Sequence, residues 1–390
     1  FFIDKYLIPK LHLKKHLLFK HQTLIITLIF FMKNILIKKN YLFLFLLLTS
    51  FTVNSQTLYG GIEIGSKGIK MTIINVKNAK KGLYEIKECW TENAGIAKGI
   101  SINGNLAQSD MEIATDIVLK NYKVMLEHSK IKDENIFIVA SSGVGMAKNT
   151  DELIAIVKAK TNKNLPIITS QQEGKMLLEG CVPPKKYLNS MILDIGSGNT
   201  KGGYINAFNG GSNVFFPLSL NIGTVTLTEK INKKEKKISI TEFNELSFEY
   251  LPVLRNDFAK MYAGGAESLK KENVYLSGGA VWAFYTLFNE GKSSAENFTL
   301  INFEDIITNK NVIENNFSKI KALAITNTEV KKVIEVYSQE QLISANNILI
   351  SMLENIPNIQ NKKIYFAKQG QLAWLISYIT NKAKVAKPIY

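Results

Sequence analysis

Met191-Ile192-Leu193-Asp194-Ile195-Gly196-Ser197-Gly198-Asn199-Thr200-Lys201-Gly202-Gly203 runs apolar into a carboxylate, turns through closely spaced glycines and then becomes apolar again. That order reads as strand, Asp, tight turn and second strand, with the turn's amides free to face an anion. Tyr59-Gly60-Gly61-Ile62-Glu63-Ile64-Gly65-Ser66-Lys67-Gly68-Ile69-Lys70-Met71 has the same design, an acidic residue two before a glycine and a hydroxyl after it. Two such hairpins about 130 positions apart predict two related lobes, each offering a phosphate-sized nest to a cleft between them. A Rossmann glycine turn opens directly onto a helix and a Walker loop ends in Gly-Lys-Ser/Thr; neither pattern is present. A single copy would be no more than a turn between strands. The repetition gives it weight.

The first 31 residues carry five lysines around short apolar runs and are expected to be upstream translation. Met32 then opens a secretory pattern. Lys33, Lys38 and Lys39 make a positive segment, Tyr41 to Val53 an apolar one, and Val53-Asn54-Ser55 supplies small residues for cleavage. The apolar run is shorter than the roughly 20 residues that a spanning helix needs, so export with a cut at Ser55/Gln56 is expected, to the periplasm or outside the cell. The chain has 48 Lys plus Arg against 33 Asp plus Glu; without eight Lys and one Asp in residues 1–55 it has 40 against 32, a net of +8. Arg255 is the sole arginine, so bidentate reading of bases or phosphates by arginine is nearly excluded, and a small polyanion suits the charge better than nucleic acid. Cys89 and Cys181 are too few for a disulfide framework or a thiolate metal site.

Residues 56–187 read as a first lobe and 188–390 as a second whose C-terminal part is helical. Strands are expected at Leu58–Ile64, Ile69–Val76, Tyr84–Trp90 and Asn135–Ala140, with a short one at Pro166–Thr169. A helix is expected from a cap at Ser109 to about Ser129, with Ile113, Ile117, Tyr122 and Leu126 on its apolar side. Glu173 falls near a strand-to-helix junction, where α/β folds deliver functional groups. The central hairpin is followed by a glycine turn at Asn209-Gly210-Gly211 and by helices at 241–254 and 258–270. A strand at Asn273–Leu276 then empties into Ser277-Gly278-Gly279, another place where backbone can approach a ligand.

From Leu58 to about Phe288 the order of motifs resembles the exopolyphosphatase and guanosine pentaphosphate phosphatase family, which has the actin, sugar kinase and Hsp70-type fold. The matching pieces are Glu63-Ile64-Gly65-Ser66, Ala140-Ser141-Ser142-Gly143, Ile168-Thr169-Ser170-Gln171-Gln172-Glu173-Gly174, Asp194 to Thr200, Ser219 to Glu229, and Ser277-Gly278-Gly279. The resemblance implies an α/β protein of two RNase H-like lobes, mixed sheets flanked by helices, with phosphoanhydride hydrolysis in the cleft between them, usually with Mg²⁺. It implies Glu173 as the base that activates water, Asp194 as a second catalytic carboxylate, and Glu63 with Asp194 as metal ligands. Gly65, Ser66, Lys67, Ser141, Gly196, Ser197, Gly198, Asn199, Thr200, Lys201, Gly278 and Gly279 would hold the substrate's phosphates.

Four departures bear on turnover. Glu63 stands where the family has Asp, Gly145 where it has a phosphate-facing arginine, Lys201 where it has a second important Glu, and Lys67-Gly68 replace Asn-Ser. Two added lysines suit polyanion binding, and Lys201 is expected to face the ligand, while the lost arginine and carboxylate weigh against metal-assisted hydrolysis. The expected function is therefore an exported hydrolase acting on inorganic polyphosphate or a related compound. The alternative is a catalytically impaired polyphosphate- or nucleotide-binding protein of the same fold. An ATP-driven machine fits poorly with export. Expected partners are a small polyanion, with no nucleic acid and no membrane span after cleavage; a homodimer is left open. N-terminal sequencing of the exported protein should read from Gln56, and recovery of a chain that retains Met32 in the membrane fraction would overturn this.

Overall fold

The computed structural model describes residues 57–208, 212–232, 238–292, 294 and 296–386. The expected leader with its cut at Ser55/Gln56 and the turn at 209–211 lie outside the described residues. The first sheet is built from β1 (Thr57–Ile64), β2 (Gly68–Asn78), β3 (Leu83–Asn93) and β4 (Ile136–Ala140) in the order β3-β2-β1-β4. β1, β2 and β3 form an antiparallel meander, and β4 adds parallel to β1. The edge strand β3 is mostly exposed and carries Glu85, Lys87, Glu88 and Glu92, charges that discourage pairing with another chain.

The second sheet starts the same way. β5 (Ser190–Ile195), β6 (Thr200–Ala207) and β7 (Asn213–Leu220) form a meander, and β8 (Asn273–Ser277) adds parallel to β5. β10 (Lys363–Ala367) continues parallel beside β8, and β9 (Phe298–Leu300) closes the edge antiparallel. The shared opening, three antiparallel strands and then a parallel one beside the first, is the internal repeat that the two glycine hairpins predict.

Helices cover the sheets. α1 (Gln108–Glu127) packs on β1 and β2, and α2 (Thr150–Thr161) packs on α1. α1 starts one residue before the expected Ser109 cap, after Ala107, with no side-chain cap. It buries Met111, Ala114, Val118 and Met125, whereas Ile113 of the expected face is 52% exposed. Ile117, Tyr122 and Leu126 of that face are partly buried against the same core, whose centre on this helix lies at 111, 114, 118 and 125. The expected strand at Pro166–Thr169 makes only an isolated bridge, Ile167 to Ala140. α3 (Ser170–Cys181) follows at once, fixed by a capping box in which Thr169 Oγ1 accepts from the Gln172 N–H at 3.1 Å and Gln172 Oε1 from the Thr169 N–H at 2.9 Å.

After α4 (Thr224–Ile231), α5 (Ile240–Ala263) runs as one helix where two were expected, and it contains Pro252. Leu251, Leu254, Phe258, Met261 and Tyr262 are buried along it, so one apolar stripe crosses the expected break and outweighs the lost amide. α6 (Gly279–Phe288), α7 (Phe303–Asn315), α8 (Phe317–Thr326), α9 (Thr328–Val336) and α10 (Gln339–Glu354) complete the cover of the second sheet. α11 (Gly370–Lys382) comes last.

Two helices cross between the sheets. α3 precedes the second sheet in the chain but packs on its strands β5, β6 and β7; α11 follows that sheet yet packs on α3 and on β1 and β2 of the first. Both crossings use glycine. The α11 residue Ile379 fills the space over Gly61, and a Cβ on Gly174 of α3 would lie 2.6 Å from the Gly202 carbonyl oxygen of β6. Gly174→Ala should therefore destabilise the fold by about 1 to 3 kcal/mol through overpacking. Gly264→Ala, whose nearest new contact is 3.5 Å, should change stability by less than about 0.5 kcal/mol. Urea unfolding of the two variants checks this contrast.

Candidate active site

The two glycine turns close with the same hydrogen bond. Gly65 N–H donates to Gly68 O and Gly196 N–H to Asn199 O, each at 3.0 Å, closing the β1–β2 and β5–β6 hairpins. The second turn is seated on the start of α4: the Thr224 amide donates to Gly196 O at 3.0 Å and the Val225 amide to Ser197 O at 2.9 Å. The turns come together with the loop after β4. A Cβ on Gly143 would strike Ser66 Oγ, and one on Gly198 would lie 3.2 Å from it. Glycine at 143 and 198 is what lets Ser66 enter this junction.

A cleft of about 720 Å³ opens beside the junction and is lined from both sheets. Of the residues expected to hold phosphate, Gly65, Ser66, Lys67, Ser141, Gly196, Ser197, Asn199, Lys201, Gly278 and Gly279 line it, as do Glu63, Glu173 and Asp194. Gly198 faces an adjoining chamber of about 350 Å³ that also shares Ser66, Lys67, Gly143 and Ser197. Thr200 does not reach either: it is fully buried, and its hydroxyl donates to Ile222 O at 2.8 Å. Strand alternation sends it into the core, away from the turn's outer face.

At the floor of the cleft the charged groups form a closed ring. Glu173, in the first turn of α3, is 1% exposed. Its Oε2 accepts from the Ser142 amide at 3.0 Å and the Ser142 hydroxyl at 2.6 Å, and its Oε1 lies 3.0 Å from Lys201 Nζ. Lys201 also donates to Asp194 Oδ1 at 2.9 Å and to Asn199 Oδ1 at 3.4 Å, and Asn199 Nδ2 donates to Ser142 Oγ at 3.0 Å. Burial alone would lower the Lys201 pKa, but Asp194 and Glu173 outweigh it and hold it above its ordinary value. Lys201 thus corrects the expectation that it faces the ligand: although it lines the cleft, its ammonium is turned onto two carboxylates.

Two other charges flank the ring. Glu63 is 2% exposed and sits 3.3 Å from Lys70 Nζ. Burial pushes its pKa up to about 7 despite the opposing charge of Lys70, with Glu173 adding repulsion. Lys67 donates to Gln341 Oε1 at 2.8 Å, and its ammonium lies 3.7 Å from the centre of the Tyr337 ring. Burial and then Lys98 lower its pKa to about 8. Lys67 therefore ties the first turn to Tyr337, between α9 and α10, and to Gln341 in the first turn of α10.

The expected Mg²⁺ does not fit these side chains. No group of three or more His, Cys, Asp or Glu side chains among the described residues is placed to hold a metal ion. Of the two expected ligands, Asp194 is paired with Lys201 and Glu63 with Lys70. An ammonium between Asp194 and Glu173 already supplies the positive charge that a cation would bring there.

Sequence reasoning missed Ser142, which holds Glu173, and the aromatic walls. Trp90, Trp282 and Trp374, all three tryptophans of the chain, line this one cleft. Their scarcity was visible in the composition, but their positions on β3, α6 and α11 meet only in the fold.

The family model described as the Ppx/GppA phosphatase family matches residues 76–261. Over that stretch, just under half of the chain, the sequence is similar to the Ppx/GppA phosphatases. It is 23% identical over 322 residues to the bifunctional 3-dehydroquinate synthase/phosphatase of Fusobacterium nucleatum, covering 77% of this chain and 47% of that protein. It is 24% identical over 151 residues to the guanosine-5'-triphosphate,3'-diphosphate pyrophosphatase of Aeromonas hydrophila, covering 38% of this chain and 29% of that one. The chain thus spans about half or less of these curated relatives. Among solved structures, an exopolyphosphatase from Cytophaga hutchinsonii superposes with a TM-score of 0.63 at 15% identity, over 83% of this chain and 98% of that one. A Ppx/GppA family member from Aquifex aeolicus superposes at 0.58 and 20% identity, over 82% and 97%. These likenesses bear on the fold alone, mixed sheets with flanking helices.

A carboxyl whose folded pKa is raised to about 7 from 4.5 contributes stability that is fully present below the lower value and is lost as pH rises through the higher. Stability should therefore fall between pH 5 and 8 in the wild type, and Glu63→Gln should remove up to about 3 kcal/mol of that fall. Urea titrations across this range check it; an unchanged slope in Glu63→Gln would mean that Glu63 is ionised throughout.

Proposed function

We propose that this Ppx/GppA-like chain is a phosphoanhydride hydrolase that takes the terminal phosphates of inorganic polyphosphate, or of a related polyphosphorylated compound, into the cleft between two RNase H-like lobes. The observation that carries the reading is the position of Glu173, a buried carboxylate on the floor of a cleft whose rim is made by Ser66, Lys67, Gly196 and Ser197. Glycine turns with hydroxyls suit the charge of a phosphate's equatorial oxygens. In this proposal Glu173 orients a water and accepts its proton as the water's oxygen bonds to the terminal phosphorus. The bond to the bridging oxygen breaks, and the chain leaves one phosphate shorter. Asp194 acts through Lys201, holding its ammonium where it positions the Glu173 carboxylate. Export through residues 32–55 is part of the proposal and is supported by their sequence pattern. No helix among the described residues is long and apolar enough to cross a membrane.

One observation favours a second reading. Lys201 and Ser142 engage both oxygens of Glu173, and Oε2, which accepts from both the amide and the hydroxyl of Ser142, has no lone pair left for a water. A binder of polyanions without turnover follows if that engagement persists when ligand is bound. Phosphate release from polyphosphate of defined length separates the two. For a hydrolase, Glu173→Gln should cut the rate by about 10² to 10⁴ while binding persists, with the cleft tryptophans reporting binding by fluorescence. Release no faster than in Glu173→Gln, together with saturable fluorescence quenching, would replace the enzyme with the binder. Neither release nor quenching would remove both.

A further inference from the structure

The Lys201 ammonium has three oxygen partners, Asp194 Oδ1 at 2.9 Å, Glu173 Oε1 at 3.0 Å and Asn199 Oδ1 at 3.4 Å. It is 6% exposed, and all three partners are buried. Two carboxylates and an amide oxygen converging on one point are a hard, oxygen-rich donor set, the kind that a divalent cation takes in a phosphate-handling site. Here the point is occupied by a covalently attached cation. The carboxylates cannot also close on a metal without displacing an ammonium that is buried with them, and that ammonium has no other acidic partner among the described ion pairs. Its release would leave three largely buried charges short of partners. Nor can the ammonium swing aside cheaply, because its stem rises from β6 next to Gly202, where α3 packs closest.

We propose that Lys201 is a built-in substitute for a divalent metal ion, so that the carboxylate pair Asp194 and Glu173 stays organised with no metal bound and has negligible affinity for one. Glu63 does not restore a metal site, because it is turned to Lys70 at 3.3 Å. The proposal concerns the protein without ligand and holds whether or not phosphate is hydrolysed. Its failure and that of the proposed function are therefore read separately.

The test is binding of Mn²⁺ to the full purified chain at neutral pH, followed by the electron paramagnetic resonance of the free ion and by the shift in melting temperature. Wild type should show no stoichiometric site, and 1 mM Mn²⁺ should move its melting temperature by less than about 1 °C. Lys201→Glu puts a third carboxylate at the vacated point. It should bind one Mn²⁺ per chain at least tenfold more tightly than wild type, and Asp194→Asn added to it should abolish the gain. Lys201→Met, which keeps the length of the stem and uncovers the two carboxylates, serves if Lys201→Glu does not fold. It should melt lower than wild type and regain part of the loss when Mn²⁺ is added. A stoichiometric Mn²⁺ site in wild type that Asp194→Asn removes would overturn the proposal, as would the absence of any gain in Mn²⁺ binding in whichever of the two variants folds.

Discussion

The site depends on how closely α3 approaches β6. Glycine at 174 lets the helix backbone settle onto the strand at Gly202, and a Cβ at 202 itself would strike Ile192 O of the neighbouring β5. Glu173 and Lys201 are the chain neighbours of these two glycines. The close crossing carries their side chains to an ion pair of 3.0 Å. Any bulk at the crossing would move the helix outward by a large fraction of that distance. The sequence pairs Glu-Gly on the helix with Lys-Gly on the strand, a packing glycine beside each functional group. The capping box at Thr169 and Gln172 adds the second coordinate, since it fixes where the helix begins and so which of its residues lies in the first turn.

Charge balance in the cleft follows from that geometry. Asp194 and Glu173 face one ammonium, and Glu63 faces another that is partly in solvent. A buried cluster of three carboxylates tolerates burial only if its members are paired or neutral. Lys201 serves the first two. Glu63, farther from full compensation, responds by holding its proton to a higher pH. Ser142 and Asn199 complete the ring and link the loop after β4 to the second hairpin. The ring thus joins parts of both sheets through groups that also face the cleft.

Much of this was legible in the sequence because it is local. Strand, acid, glycine turn and strand are short-range signals, and both hairpins fold as read, with matching hydrogen bonds at Gly65 and Gly196. The place of Glu173 near a strand-to-helix junction was legible for the same reason. The contacts that decide chemistry are not local. Lys201 could be placed on a strand but not aimed, because its partners come from β5 and from a helix that precedes the hairpin in the chain. Thr200 carries the hydroxyl that a phosphate turn would use, and only the register of β6 shows it pointing into the core. The helix α5 passes through Pro252 because tertiary burial of one stripe outweighs a local breaker. The pairing of α11 with β1 and β2 joins elements about 300 residues apart, beyond the reach of any pattern in a short window.

That last pairing also sets an order of events during synthesis. The β1–β2 hairpin can form as soon as it leaves the ribosome, yet one of its faces is completed by Leu375 and Ile379, which stand against Gly61. At roughly 5 to 20 residues per second, those side chains emerge many seconds later. Until then the face made by Gly61 and its neighbours has no permanent cover. The second sheet has most of its helices in sequence around it, but it waits for α11 too, because Trp374 and Leu375 share a core with Ile192 and Tyr275. Chain entropy makes such a long closure slow. The two sheets differ in strand number, yet one late helix finishes both.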